Sequence, residues 1–361
     1  MFTGDVKKLL TTNNSEIIID KSQQEFYKNI HLSMRDLLLR EVSRDILLDQ
    51  PEITEIAKRI RDEAALFPMS KHEVFKYVAG VDAGSQILPL ASRQYAIISA
   101  LVYSIPSGEK FFLPPETLTI SNSKAGNMFK ATINLRREAK LYETALIFLK
   151  DNPETELMLI DGPLCFSDWW KLSGGQKDQQ RLINSVNQLL KACRETKTIL
   201  AGVVKRPSAR YFVYHLGIET DTVLPDSSLL LQTLRPGERT DIFSPKNVMQ
   251  KAHKNSDFMN ALEVSVYSFY SRMTQEWNIP PIRVDVPAYC LTSVNDVADY
   301  CYATSMFLGI PLPIVKADDE VKITRKFMAG IYGEILSKIS RSACDVRGLA
   351  PIWGEGHWMG A

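Results

Sequence analysis

One stretch places a carboxylate in a predicted β-strand and decides the fold: Tyr77-Val78-Ala79-Gly80-Val81-Asp82-Ala83-Gly84-Ser85. Val78 and Val81 favour strands, and the Ala-Gly pair between them allows another backbone to lie close. Ala-Gly-Ser after Asp82 has the composition of a turn, so we expect the strand to end at this acid. A buried carboxylate at a strand end requires a cationic partner, either a basic side chain or a metal ion.

A second apolar run ends at an acid in the same way. Residues 157–161 read Leu-Met-Leu-Ile-Asp and precede a Gly-Pro turn. Two such strands can place the carboxylates of Asp82 and Asp161 side by side. Adjacent acids repel each other, and hard divalent cations relieve that repulsion while taking oxygen ligands.

The predicted elements follow one another in a recognisable order. Strand patterns occur at residues 78–82, 96–103, 116–120, 157–161 and 198–204. The first three form an antiparallel meander, and helical periodicity covers residues 124–150 and 176–195. This βββαβαβ order predicts an α/β protein of the ribonuclease H-like (PIWI-like) class, a mixed sheet flanked by helices. In that fold the first and fourth strands are neighbours, so Asp82 and Asp161 converge.

The long helix over residues 124–150 brings a third acid towards the sheet. Glu138 lies roughly 60° from the centre of its apolar stripe. Taken alone, Asp82 is as well explained as a turn or cap residue. Together with Glu138 and Asp161 it predicts a site for two metal ions roughly 3.5 to 4 Å apart, which activate water and stabilise the leaving oxygen of a phosphodiester.

Composition excludes several classes of protein. The chain has 361 residues, of which 45% are hydrophobic and 24% charged, enough for one large domain or two modest ones. Its net charge of +1 makes any basic groove a local feature, as in residues 191–210, which hold six bases and one acid. Five cysteines without a C-x-x-C pair fit a reducing cytoplasm. No targeting or membrane segment is visible, because the longest apolar stretch, residues 95–103, is too short to span a bilayer.

Several segments in a fixed order carry a resemblance to a known family. They are residues 81–85, 137–138, 159–164, 202–206, 281–287 and 309–324. In this order they resemble the NurA nucleases of archaeal and bacterial DNA end processing. The resemblance implies a manganese-dependent 5′ to 3′ exonuclease and single-strand endonuclease, with magnesium as the alternative ion. It also implies that Asp82, Glu138 and Asp161 bind the metal, and that a HerA-type hexameric ATPase is the partner.

One departure from the family pattern bears on the site. Many members carry a Tyr in a Gly-Tyr-Pro loop and a His shortly after it. Aligned through Gly309 and the two prolines that follow, these positions hold Ile310 and Asp318 here. Asp318 keeps the site acidic and is our candidate for binding a metal or orienting water, with Asp319 or Glu320 as the alternative if the register shifts. The loss of the Tyr affects substrate positioning.

Basic and aromatic residues near the predicted site are candidates for DNA contacts. Lys205 and Arg206 end a strand beside the site, and Arg210 follows in the same basic segment. They are placed to hold phosphates, although a solvated strand end explains the first two equally well. Trp169 and Trp170 are candidates for stacking on bases or opening a duplex end, with core packing as the alternative for at least one of them.

Three other functions share features with this sequence. Residues 172–176 read Leu-Ser-Gly-Gly-Gln, the signature loop of ABC-type ATPases, but the chain has no phosphate-binding loop, so we interpret them as a helix start. A PIWI-type RNA-guided nuclease needs guide-binding modules that this length does not accommodate. A catalytically inactive DNA-binding or scaffolding subunit, in which the acids serve structure, stays open.

The chain divides into three predicted parts. Residues 1–70 form an N-terminal helical region broken at Pro51, residues 71–342 the nuclease domain with an insertion around 211–290, and residues 343–361 an irregular tail. We expect a cytoplasmic homodimer that encloses DNA, because a near-neutral chain concentrates its bases in a groove when two copies face each other. The N-terminal helices and the C-terminal helix are the candidate dimer surfaces. The N-terminal helices or the tail are the candidates for contact with the ATPase.

Overall fold

The structure is a computed structural model that describes residues 21–90, 93–121, 127–166, 175–220, 222–251, 256–306 and 308–341. The chain divides into two compact units, residues 1–55 and 56–361.

The first helix, α1 (Lys21–Glu63), continues through Pro51, where the sequence predicts a break. A proline removes one backbone donor, and the turns on either side keep their own hydrogen bonds. Among the described residues, no helix combines the length and the apolar character needed to cross a membrane.

The second unit contains a sheet flanked by helices. The strands are β1 (Leu66–Pro68), β2 (Val78–Pro89), β3 (Arg93–Ile105), β4 (Lys110–Phe112), β5 (Glu116–Ser121), β6 (Leu157–Asp161), β7 (Ile199–Val204), β8 (Glu238–Thr240), β9 (Val266–Ser271) and β10 (Ile282–Pro287). The helices after α1 are α2 (Asn127–Asp151), α3 (Gln176–Thr196), α4 (Tyr211–His215), α5 (Asp226–Thr233), α6 (Pro245–Lys251), α7 (Asp257–Ala261), a 3₁₀ helix (Ala288–Ser293), α8 (Val294–Thr304), α9 (Leu312–Val321) and α10 (Arg325–Ser340).

The predicted ribonuclease H-like core is confirmed. Within the described part of the chain the strand order is β1-β8-β9-β10-β7-β6-β2-β3-β4, with β5 also paired to β3. Strands β2, β3 and β5 form the antiparallel meander. Strand β2 pairs in parallel with β6, and β6 in parallel with β7. The register places Val81 opposite Ile160, so the residues that follow, Asp82 and Asp161, are neighbours across the two strands.

The sequence predicts that strand β2 ends at Asp82, but in the structure the strand extends past this residue. It continues to Pro89, because β3 pairs with it along its whole length, including the Ala-Gly-Ser that was expected to turn. The pairing with β6 stops at Ile160. Asp82 therefore lies in the middle of a long strand, at the point where its parallel neighbour ends.

The segment after β7, which falls in the predicted insertion, contains helices as well as strands. Residues 221–234 have a strand-like composition, yet Asp226–Thr233 form helix α5, with Pro225 as its N-cap residue. The buried carboxylate of Asp226 accepts the N–H groups of Phe212 and Val213 at the start of α4. Because these hydrogen bonds join Asp226 in α5 to the backbone of α4, the local composition of residues 221–234 does not reveal them. Strands β8 to β10 then extend the sheet beyond β7.

Helix α9 lies along β2 because two glycines leave room for its backbone. Gly80 and Gly84 are four residues apart and face the same side of the sheet. A Cβ atom at Gly80 would overlap the carbonyl oxygen of Pro313, and one at Gly84 would lie 2.8 Å from the carbonyl oxygen of Val321. These two contacts fall near opposite ends of α9. The helix therefore runs along the strand, with Asp318 between the contacts.

We expect Gly80→Ala to lower the free energy of unfolding by about 1 to 3 kcal/mol, because the added methyl group meets helix backbone that cannot rotate away. Urea unfolding measures the loss. Gly330→Ala in α10 is the matched control, because a Cβ atom there has nothing within 4 Å. It should be neutral or stabilising by up to about 1 kcal/mol. Equal effects of the two substitutions would contradict the close packing of α9 on β2.

Candidate metal centre

Three carboxylates from three elements meet where β6 ends. Asp82 comes from the middle of β2, Asp161 is the last residue of β6, and Asp318 lies in α9. Each offers one oxygen, and the three oxygens lie within 4.8 Å of one another. No other cluster of His, Cys, Asp and Glu meets this spacing among the residues that the structure describes. The structure therefore brings together three of the four acids that the sequence predicts for the site.

Two lysines balance part of this negative charge. The Nζ of Lys205, just after β7, lies 2.6 Å from Oδ2 of Asp161 and 3.4 Å from Oδ1 of Asp318. The Nζ of Lys322, one helical turn after Asp318, lies 2.6 Å from Oδ2 of that residue. Asp82 instead accepts the N–H of Ala83 at 2.6 Å. Two ammonium groups thus face three acids, which leaves the cluster suited to a further cation.

Burial and mutual repulsion shift the protonation of the three acids. Burial, followed by the charge of Asp161, raises the pKa of Asp82 to about 8. Burial also raises the pKa of Asp161, against the opposing effect of Lys205. For Asp318, burial raises the pKa, but the bonds to Lys322 and Lys205 outweigh it and hold the pKa below its ordinary value. Near neutral pH, Asp82 thus holds a proton that a bound metal ion would displace.

Glu138 lies beside the cluster and forms an ion pair. Its Oε1 accepts a hydrogen bond from Nη2 of Arg137 at 2.5 Å, and its Oε2 faces Gly162, the residue after Asp161. Burial lowers the pKa of Arg137, but Glu138 and then the acids Asp82 and Asp161 outweigh it and raise this pKa. Arg137 therefore belongs to the electrostatics of the site. The signal for Arg137 in the sequence is that residues 137–138 form one of the segments that carry the family resemblance.

The predicted DNA-contacting residues have different surroundings. Arg206 is exposed beside Lys205. The guanidinium of Arg210 lies 5.3 Å from the ring centre of Tyr214, and its Nε and Nη2 atoms are buried. Trp169 and Trp170 lie outside the described residues, as do residues 172–174 of the Leu-Ser-Gly-Gly-Gln segment. Helix α3 begins at Gln176, the last residue of that segment.

Comparison with known proteins identifies similar folds. A family model described as the NurA domain matches residues 76–323, a range that contains all three clustered acids. The crystal structure of the NurA nuclease from Sulfolobus solfataricus is similar with a TM-score of 0.62 and 19% sequence identity, over 86% of this chain and 98% of that chain. A crystal structure of NurA with manganese has a TM-score of 0.54 and 11% identity, over 83% and 98% of the two chains. No curated protein matches in a comparison of sequences.

We expect Asp82→Asn to stabilise the metal-free protein, and more so at high pH. Because the pKa of Asp82 rises from 3.8 to about 8 on folding, the folded protein binds the extra proton between these values. The wild type therefore loses stability as pH rises through this interval, and the Asn variant does not. Each pH unit in this interval is worth about 1.4 kcal/mol, so the gain should be several-fold larger near pH 9 than near pH 5, in urea unfolding with chelator.

The control for this experiment is Asp151→Asn, which changes an exposed acid at the end of α2. Its effect on stability should be the same at both pH values, because this acid is exposed and lies outside the carboxylate cluster. An effect of Asp82→Asn that does not change between the two pH values would show that this carboxyl group does not carry the raised pKa.

Proposed function

The chain belongs to the NurA family, and from that premise we propose that it is a metal-dependent nuclease that hydrolyses DNA. The observation that carries the proposal is the convergence of Asp82, Asp161 and Asp318 within 4.8 Å. Such a cluster is unfavourable for the folded protein unless a cation binds it. Its position at the junction of β2, β6 and α9 places it at the carboxyl end of a parallel strand, where open α/β sheets bind ligands.

The donor set fits a divalent metal ion. All three groups are carboxylates, and hard ions such as Mn²⁺ and Mg²⁺ prefer oxygen ligands. We propose that Asp82, Asp161 and Asp318 hold manganese, with magnesium as the alternative, and that Glu138 contributes to a second ion. When bound, the metal activates water for attack and stabilises the leaving oxygen of the phosphodiester.

Lys205 has a second task in this proposal. Without substrate its ammonium group pairs with Asp161 and Asp318. With these carboxylates engaged by a metal ion, the ammonium group of Lys205 would be available for a phosphate oxygen. Arg206, exposed beside it, is placed to contact a neighbouring phosphate. Lys205 and Arg206 thereby orient the DNA strand at the carboxylates. Arg210, Trp169 and Trp170 remain candidates for contacts farther along the DNA.

The finer features follow from membership of the family. We propose 5′ to 3′ exonuclease and single-strand endonuclease activity in cytoplasmic DNA end resection and double-strand break repair, with a HerA-type hexameric ATPase as partner. The sequence lacks the G-x-x-x-x-G-K-[ST] phosphate loop, so work from ATP has to come from another protein. Exposed apolar residues support a homodimer. Helix α1 exposes Phe26, Leu37, Leu38 and Leu39, and helix α10 exposes Phe327 and Ile335.

One observation favours the alternative of a catalytically inactive DNA-binding or scaffolding subunit. Lys205 contacts two of the three acids and Lys322 contacts one, so basic side chains already satisfy part of the cluster. Asp318 also stands where many relatives carry a His. In this alternative, the acids and lysines form a structural ion-pair network, and metal has no effect on DNA.

We expect the wild-type protein to degrade labelled linear DNA with manganese and not with chelator. Asp82→Ala should lower the rate at least about a hundredfold, because removal of a ligand weakens metal binding and misplaces the ion. Circular dichroism checks that the variant is folded, and Asp151→Ala is the control for loss of an acid outside the cluster. Cleavage by Asp82→Ala at the wild-type rate would refute the site. If the wild type cleaves no DNA with manganese or with magnesium, the result would support the alternative of an inactive subunit.

We expect a dimer in light scattering at micromolar concentration. Leu38→Glu on α1 and Phe327→Glu on α10 each place a charge on one candidate surface and should shift the mass towards the monomer, because burial of an unpaired charge is unfavourable. Val223→Glu is the control, since Val223 is an exposed apolar residue on neither helix. A monomeric wild type would contradict the proposed dimer.

A further inference from the structure

The turn that follows Asp161, residues 162–165, is held by buried groups that the proposed function does not use. From helix α2, the hydroxyl of Tyr142 donates a hydrogen bond to the carbonyl oxygen of Pro163, 2.5 Å away. Tyr142 is only 1% exposed. If the turn moved, this buried hydroxyl would lose its hydrogen-bond partner without gaining water, which is unfavourable. Tyr142 therefore fixes one side of the turn.

Asp285 of strand β10 holds the other side. Its Oδ2 accepts the backbone N–H of Leu164 at 3.1 Å, and its Oδ1 accepts the hydroxyl of Ser268 at 2.7 Å. Arg283 donates to both oxygens, from Nε at 2.8 Å and from Nη2 at 3.1 Å. Both members of this ion pair are buried, and a buried ion pair is weak evidence for a gain in stability. The ion pair with Arg283 instead fixes the direction of the Asp285 carboxylate towards the turn.

Strand β7 supports the turn from a third direction. A Cβ atom at Gly202 would lie 2.7 Å from the carbonyl oxygen of Gly162 and 3.0 Å from the amide nitrogen of Leu164. The N–H of Gly162 donates to the carbonyl oxygen of Val203 at 3.0 Å. Contacts from α2, β10 and β7 thus converge on four residues that begin immediately after Asp161.

We propose that Tyr142 and Asp285 are positioning residues for Asp161, which set the affinity of the carboxylate cluster for its metal ion. This inference rests on the proposed function in one respect, that the cluster binds a divalent ion. The main chain of Asp161 is continuous with the turn, so a shift of the turn changes the distance between its carboxylate and that of Asp82. Groups that orient metal ligands in this way typically change metal affinity by about 10- to 100-fold when removed.

The test uses two matched tyrosine variants of the full-length protein. Tyr142→Phe removes the hydroxyl that contacts the turn. Tyr270→Phe is the control, because Tyr270 is also buried and donates its hydroxyl to Asp226, at 2.9 Å, outside the turn. Calorimetric titration with manganese should show about tenfold weaker binding for Tyr142→Phe and wild-type binding for Tyr270→Phe. DNA cleavage by Tyr142→Phe should recover at saturating manganese, whereas loss of stability should be similar in the two variants.

Ser268→Ala examines the second side of the turn. It removes one hydrogen bond to Asp285 and leaves the ion pair with Arg283 intact. Asp285→Asn, in contrast, would leave the buried guanidinium of Arg283 without an ionic partner and risks unfolding the protein. We expect Ser268→Ala also to weaken manganese binding. If Ser268→Ala and Tyr142→Phe bind manganese as tightly as a wild type that itself binds and cleaves, the contacts are structural and this inference alone is overturned. A wild type that binds neither manganese nor magnesium overturns the proposed function as well.

Discussion

The parallel pairing of β2 with β6 is the constraint on which the rest of the site depends. With Val81 opposite Ile160, the next residue of each strand is an acid, and strand β6 ends there. Side chains alternate between the two faces of a strand, so a slip of one residue would turn Asp82 to the opposite face. Helix α9 supplies the third carboxylate only because Gly80 and Gly84 allow its backbone against the same strand. Local strand geometry thereby determines where the negative charge accumulates.

This arrangement is unfavourable for the metal-free protein, and the lysines show how far the chain compensates for it. Lys205 and Lys322 pair with Asp161 and Asp318, and Asp82 is left with a pKa raised to about 8. A protein selected for stability alone would replace such an acid with a neutral residue. The presence of an incompletely balanced, buried acid beside two others is the physical reason to regard the cluster as a candidate functional site.

Sequence patterns predicted the parts of this fold that depend on local periodicity. The runs before Asp82 and Asp161, the helix carrying Glu138 and the order of strands are all confirmed in the structure, because hydrophobic spacing within one element decides them. The predicted end of β2 is wrong because pairing with the next strand, β3, carries β2 through Ala-Gly-Ser, and the composition of that segment does not reveal this pairing. Lys322 was missed, although its spacing of four residues from Asp318 places it on the same helical face.

In the sequence, the Arg283-Asp285 segment carries part of the family resemblance, and the sheet explains what this segment contributes. Asp285 is opposite Gly202 on β7, Gly202 is opposite Ile160 on β6, and Ile160 is opposite Val81 on β2. One row of residues thus crosses four strands, from the buried ion pair to the residue that precedes Asp82. Glycine at the centre of this row lets the turn after Asp161 fold over β7 and reach the Asp285 carboxylate. Strand β10 is therefore part of the scaffold of the carboxylate cluster, although none of its own side chains belongs to that cluster.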